Sequence, residues 1–151
     1  MQTTRPDTTL PEDVLGQMQG AMLQAILTSS PLRGQSRPLD LPDLPQLLNQ
    51  PALILSNENL GGPIQLQDPT KPVHILSEEA IQERAQDEGS LLYLRFQPPQ
   101  RVADGVLLTL AIQVAQGERG LPSLGMSGLQ VTFQRKGKGW QATDETAAFA
   151  A

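Results

Sequence analysis

At 151 residues the chain has the size of a single domain, and its 16 acidic and 11 basic side chains leave a net charge of -5. That balance argues against a nucleic-acid groove, which needs several clustered Lys or Arg to displace counterions. The absence of cysteine removes disulfides, thiolate metal sites, iron–sulfur clusters, a cysteine nucleophile and a lipid anchor on Cys, and a single histidine leaves little for a His-based site, so no cofactor or metal is expected.

Counting residue types gives 24 Leu and 18 Gln against three Lys, with an aromatic fraction of only 3%. Aliphatic packing must therefore carry the core, and amides much of the solubility. The N-terminus has no apolar core before Val14, and the longest apolar run, Val106 to Ala115, falls short of a bilayer span. The resulting expectation is a cytoplasmic protein with no membrane contact.

Residues 1–8 read as a flexible leader. Thr9-x-x-Glu12 then has the form of a capping box, followed by Leu15, Met18, Met22, Ala25 and Ile26 at helical spacing. Gly16 and Gly20 each weaken this helix by about 1 kcal/mol relative to Ala, but small residues four apart also let another backbone come close. Thr28-Ser-Ser-Pro31 ends it. Between Pro31 and Pro51 five prolines exclude a long helix or a central strand. One short helix fits there, Asp43 to Asn49 with Asp43 as N-cap, and the surrounding leucines predict packing over the main body.

Ala52 to Ser56 reads as a strand, with Ile64 and Leu66 alternating as a short return strand after the Gly61-Gly62 turn. Val73 to Leu76 is another strand. Ser77 caps a helix whose first turn carries Glu78 and Glu79, and Gly89 closes it. Leu92, Leu94 and Phe96 then alternate, as do Val106 through Val114 and Leu129, Val131 and Phe133. Gly137 to Gly139 turns the chain into a last strand at Trp140. The prediction is a single α+β domain over residues 9–143. Two helices pack on a mostly antiparallel, curved sheet that ends in a four-strand meander, with 144–151 as a flexible tail. Gly117 to Gly128 reads as a long loop between the two best strands.

In its order of elements, ending in hydrophobic alternation, a Lys-Gly turn and Trp140, the stretch 9–143 resembles the NTF2-like (cystatin-like α+β) superfamily. That resemblance implies a curved sheet wrapped around a long helix, with a pocket between them. Members of the superfamily include isomerases, dehydratases, transport factors and non-catalytic binding domains, so it does not choose a function.

His74 is the sole side chain with a reference pKa near neutrality, and an acid–base role would need a carboxylate such as Asp68 or Glu78 aimed at it. The acidic run Glu78, Glu79, Glu83, Asp87 and Glu88, relieved by Arg84, reads as a solvated helix face. Tyr93 and Arg95 share a strand face opposite Leu92, Leu94 and Phe96, which turns them outward or onto a pocket rim. Trp140 reads as a core or edge anchor and as an interface residue, because aromatics and Arg are enriched at binding hot spots. Met18 and Met22 fit the core, or the lining of a pocket between the first helix and the sheet. Arg135, Lys136 and Lys138 read as a soluble hairpin tip. The terminal Ala-Ala is similar to endings that bacterial unfoldase–protease systems recognise, with a frayed end as the plainer reading.

Two functions follow. The first is a non-catalytic domain that binds a protein partner, expected to expose an apolar patch of several hundred Å². A homodimer that hides a sheet edge is compatible with it. The second is a small-molecule pocket of about 300 Å³ or more, with an isomerase or dehydratase using His74 as its enzymatic variant.

Overall fold

The first apolar stripe forms helix α1 (Glu12–Thr28), which buries Leu15, Met18, Met22, Leu23, Ala25 and Ile26. In this computed structural model, residues 12–62, 64, 66, 71–102, 105–117, 124–137 and 139–150 are described; the leader 1–8 and the Thr9 cap lie outside them. Ser29 closes α1 in the left-handed region at φ 55. Its N–H reaches Ile26 O and that of Ser30 reaches Ala25 O, the paired bonds of a Schellman ending. Gly16 is a close approach: a Cβ there would stand 3.3 Å from Gly62 N.

The proline-rich stretch is laid over the body, as its leucines require, with Leu32, Leu39, Leu41 and Leu47 buried. Its one helix, α2, is shorter than the expected span, Leu44–Leu48. Asp43 precedes it in a left-handed conformation and makes no side-chain cap bond. Strand β1 (Leu53–Ser56) is buried throughout, and β2 (Val73–Leu76) pairs parallel to it. Ile64 and Leu66 are not in a strand, contrary to the return-strand reading. They pack instead against the main core.

Helix α3 (Glu78–Glu88) starts at Ser77, whose hydroxyl accepts from Ala80 N at 3.0 Å. It carries the chain over to β3 (Leu91–Phe96), which lies parallel to β1 on the other side from β2. A three-residue strand, β4 (Gln100–Val102), follows the Pro98-Pro99 break and pairs with the start of β5 (Gly105–Ala115). Strands β6 (Leu124–Lys136) and β7 (Gly139–Ala150) complete an open seven-stranded sheet of order β2-β1-β3-β5-β6-β7. All pairings beyond β3 are antiparallel. The fold is α+β.

Two sequence readings change here. The loop read over Gly117 to Gly128 is shorter, because β6 begins at Leu124. The segment read as a tail continues β7, with Thr146, Ala147, Ala148, Phe149 and Ala150 opposite Val131, Gln130, Leu129, Gly128 and Ser127. Small residues gave no apolar alternation there, so the strand was invisible to a period-2 search.

Strand alternation sends Leu53, Leu55, Leu94, Phe96, Leu108, Leu110, Ile112 and Val131 to one face, under α1 and the proline-rich stretch. The opposite face is not simply solvent. Ile54, Tyr93 and Ala115 form a second core there with Ile81 and Ala85 of α3. The sheet is therefore covered on both sides at its β1–β3 end.

Candidate functional site

Three places bring chemistry-bearing side chains together. The first is a cleft of about 220 Å³ at the N-terminal end of α1. The β6–β7 turn, with Gly137 at φ 61, sets Trp140 directly opposite Arg135. The Arg135 guanidinium carbon stands 5.9 Å from the Trp140 ring centroid, within cation–π range. Val14, Gln17, Met18 and Ala21 of α1 form one wall, with Phe133, Trp140 and Ala142 from the hairpin facing them. Leu32 and Arg33 close the rim, and Arg33 is held there because its carbonyl accepts the Ala142 N–H at 3.1 Å. A half-open cleft lined mainly by apolar side chains, with Gln17 and Arg33 among them, thus lies beside the Arg135 guanidinium on a chain that is acidic as a whole.

The second place is a polar network beneath the start of α3. Tyr93 is fully buried there, not turned outward. Its hydroxyl lies 3.1 Å from Glu78 Oε1 and 2.7 Å from Gln113 Oε1. Ser56 Oγ donates a short bond to the other carboxylate oxygen of Glu78 and accepts the Glu58 N–H at 3.1 Å. Each member is tied to another member, so the network holds α3 on the sheet. Arg95 lies farther along the same strand face, 3.9 Å from Glu58 in a weak ion pair, with its Nε buried and unbonded.

The third is a groove of about 420 Å³ between residues 35–40 and the outer half of β7. Leu129, Thr146 and Ala148 line its sheet side, and Arg37, Asp40 and Asp144 bring charge.

The residues singled out from sequence are dispersed over the fold. Met18 and Trp140 meet in the cleft, whereas Met22 is wholly buried in the core and does not line it. His74, on β2, bonds Arg84 NH1 through Nδ1 at 3.0 Å. Arginine has only donors, so Nδ1 is the acceptor and the ring proton sits on Nε2. The neighbour at Nδ1 is therefore a cation and not an orienting carboxylate; Asp68 lies outside the described residues. Arg84 also pairs with Glu88 at 3.5 Å, one of the pairings its spacing allowed. Arg33, which lines the cleft, and Arg135, which stacks on its Trp140, were missed. The available signals were Gly34 after Arg33 within the proline-rich stretch, and the cross-strand position of Arg135 against Trp140.

Among the described residues, the large apolar side chains left exposed are Ile75 and Phe149, on opposite edge strands, so they do not make a patch. No group of three or more His, Asp or Glu is placed to hold a metal among the described residues, and no helix there is long and apolar enough to cross a membrane. Comparison with protein-family models, curated proteins and solved structures gives no match.

Proposed function

We propose that the chain is a non-catalytic interaction domain that takes one apolar side chain of a protein partner into the Trp140 cleft. The cleft itself carries this reading. At about 220 Å³ it is smaller than the roughly 300–1,000 Å³ typical of small-ligand sites, and it is open to solvent. Trp140 and two arginines crowd one spot, the residue types most enriched among interface hot spots. Arg33 and Arg135 favour carboxylates flanking the apolar anchor on the partner.

Trp140 is the sole tryptophan, so its emission reports the cleft directly. Protein recovered from its own host under mild conditions is expected to carry a stoichiometric protein partner whose binding blue-shifts Trp140 and shields it from iodide. Trp140→Ala, with unchanged circular dichroism, is expected to lose that partner. Retention of the partner by folded Trp140→Ala removes the cleft from the interaction.

The alternative is a small-molecule pocket of NTF2-like type. The order of elements supports it, as does a cleft beside α1, the helix such a sheet would wrap. Native mass spectrometry separates the two, because a small adduct lost on Trp140→Ala favours the pocket over the partner.

A further inference from the structure

Strand β7 ends the sheet order, so among the described residues its outer edge has no strand beside it. That edge is not uniform. Its first half is covered as far as Asp144 by the turn at residues 33–36. Ala142 N–H donates to Arg33 O, Gln35 Nε2 donates to Thr143 O at 2.8 Å, and Ser36 N–H donates to Asp144 Oδ1 at 2.9 Å. The ladder with β6 is interrupted here, between the Phe133–Ala142 and Val131–Thr146 pairs. Beyond the interruption, Thr146 to Ala150 resumes regular pairing with β6, and among the described residues no backbone hydrogen bond from residues 33–42 reaches this stretch.

This outer half lacks the proline and basic side chains that often protect edge strands. Gly139–Ala150 contains no Pro, Lys or Arg, and Phe149 is 45% exposed. On the face carrying Thr146 and Ala148 the edge borders the 420 Å³ groove, whose far wall is residues 35–40. A strand added to β7 would send alternate side chains into that groove, the geometry of peptide recognition by sheet extension. Charge selects the occupant. Glu145 is exposed and makes no ion pair among the described residues. A second copy of β7 would bring two more acids and no base.

We propose that Thr146 to Ala150 is a strand-addition site for an extended peptide in which an Arg or Lys adjoins a short uncharged, β-forming run. The basic residue sits against Glu145, and the run extends along the edge beside the groove. This surface is distinct from the Trp140 cleft and does not depend on it.

The test is amide hydrogen exchange by NMR with a synthetic peptide of two arginines followed by alternating valine and threonine. Exchange is expected to slow at alternate residues within Thr146 to Ala150, since only every second N–H of an edge strand points outward. Glu145→Lys is expected to weaken binding by roughly fivefold, the scale of one exposed ion pair, whereas Glu83→Lys on α3 leaves it unchanged. A peptide N-methylated at every second residue is expected not to bind. Unchanged exchange in excess peptide overturns the proposal. So does protection that appears without peptide and grows with protein concentration, which assigns the edge to a second copy.

Discussion

The Tyr93 hydroxyl bridges Glu78, on the first turn of α3, and Gln113, on the neighbouring strand β5, at 3.1 and 2.7 Å. A hydroxyl donates once. The bridge is fully satisfied when Gln113 presents its amide N–H₂ to the phenol oxygen and the phenol donates to the carboxylate. Ser56 supplies the second donor to Glu78. The result is a chain of donors running from the centre of the sheet to the positive end of a helix, where a carboxylate is favoured.

Tyr93→Phe keeps the ring in its buried site and removes only the hydroxyl. Because both partners are half-buried and each loses one bond, the loss is expected at about 1 kcal/mol. Urea unfolding at neutral pH measures it as a lower midpoint with unchanged slope. An unchanged midpoint would mean that Glu78 and Gln113 find replacement partners, and that the network does not fasten α3.

Glutamines supply the second prediction. Read from composition, the 18 Gln are solubilising groups. Several are instead backbone clamps. Gln19, fully buried on α1, donates to Asn59 O at 2.8 Å and accepts from Gly61 N at 2.9 Å. Gln50 does the same to Leu92, with bonds of 2.7 and 2.8 Å to its N–H and carbonyl. Gln19→Leu and Gln50→Leu preserve size but strand two backbone groups each, and each is expected to cost about 2 kcal/mol by thermal or urea unfolding. Gln46→Ala, at an exposed position on α2, is expected to stay within about 0.5 kcal/mol of the parent.

Gly34 tests the segment that covers the first half of the β7 edge. Its φ is +98, and a Cβ there would lie 2.3 Å from both Ala142 O and Gln141 Cγ. Gly34→Ala therefore combines a strained backbone with a clash against a strand, and is expected to detach residues 33–36. The observable is faster hydrogen exchange at Ala142, whose N–H loses the Arg33 carbonyl, together with a drop of about 1–3 kcal/mol in stability. Retained protection at Ala142 would show that the segment is held by its leucines alone.

Much of this architecture is legible in the residues. The stripe of α1, the Ser77 cap, the Gly89 stop and the alternation of β3, β5 and β6 each follow from spacing and local chemistry. What stayed hidden depends on long-range pairing. Nothing local says that β1 lies between β2 and β3, and that placement brings α3 onto the far face and buries Tyr93. The stretch from Asp144 to Ala150 in β7 is Asp, Glu, Thr and Ala around one Phe, a composition that suits a tail until β6 is there to pair with. The cleft was half legible: Met18 and Trp140 came from pattern, while Arg33 enters through a backbone bond to Ala142 across 109 residues of chain.

Two glycines inside the sheet separate a contact that can yield from one that cannot. A Cβ on Gly105 would stand 2.1 Å from Phe133 O, a backbone atom fixed in the β5–β6 ladder at its first pairs. On Gly128 it would meet Phe149 Cζ at 2.2 Å and Leu110 O at 2.9 Å. The Phe149 ring is the end of a half-exposed side chain on an edge strand, so it can swing into solvent, leaving a smaller displacement of the Leu110 carbonyl. Gly105→Ala is thus expected to cost more than about 3 kcal/mol, and Gly128→Ala about 1–2 kcal/mol. A further difference is spatial. In folded Gly128→Ala the amide chemical shifts should move along β7 near Phe149, where the ring current changes, and remain in place on β1 and β3. The reverse order of stabilities would mean that Phe149 is packed far more tightly over Gly128 than its exposure implies.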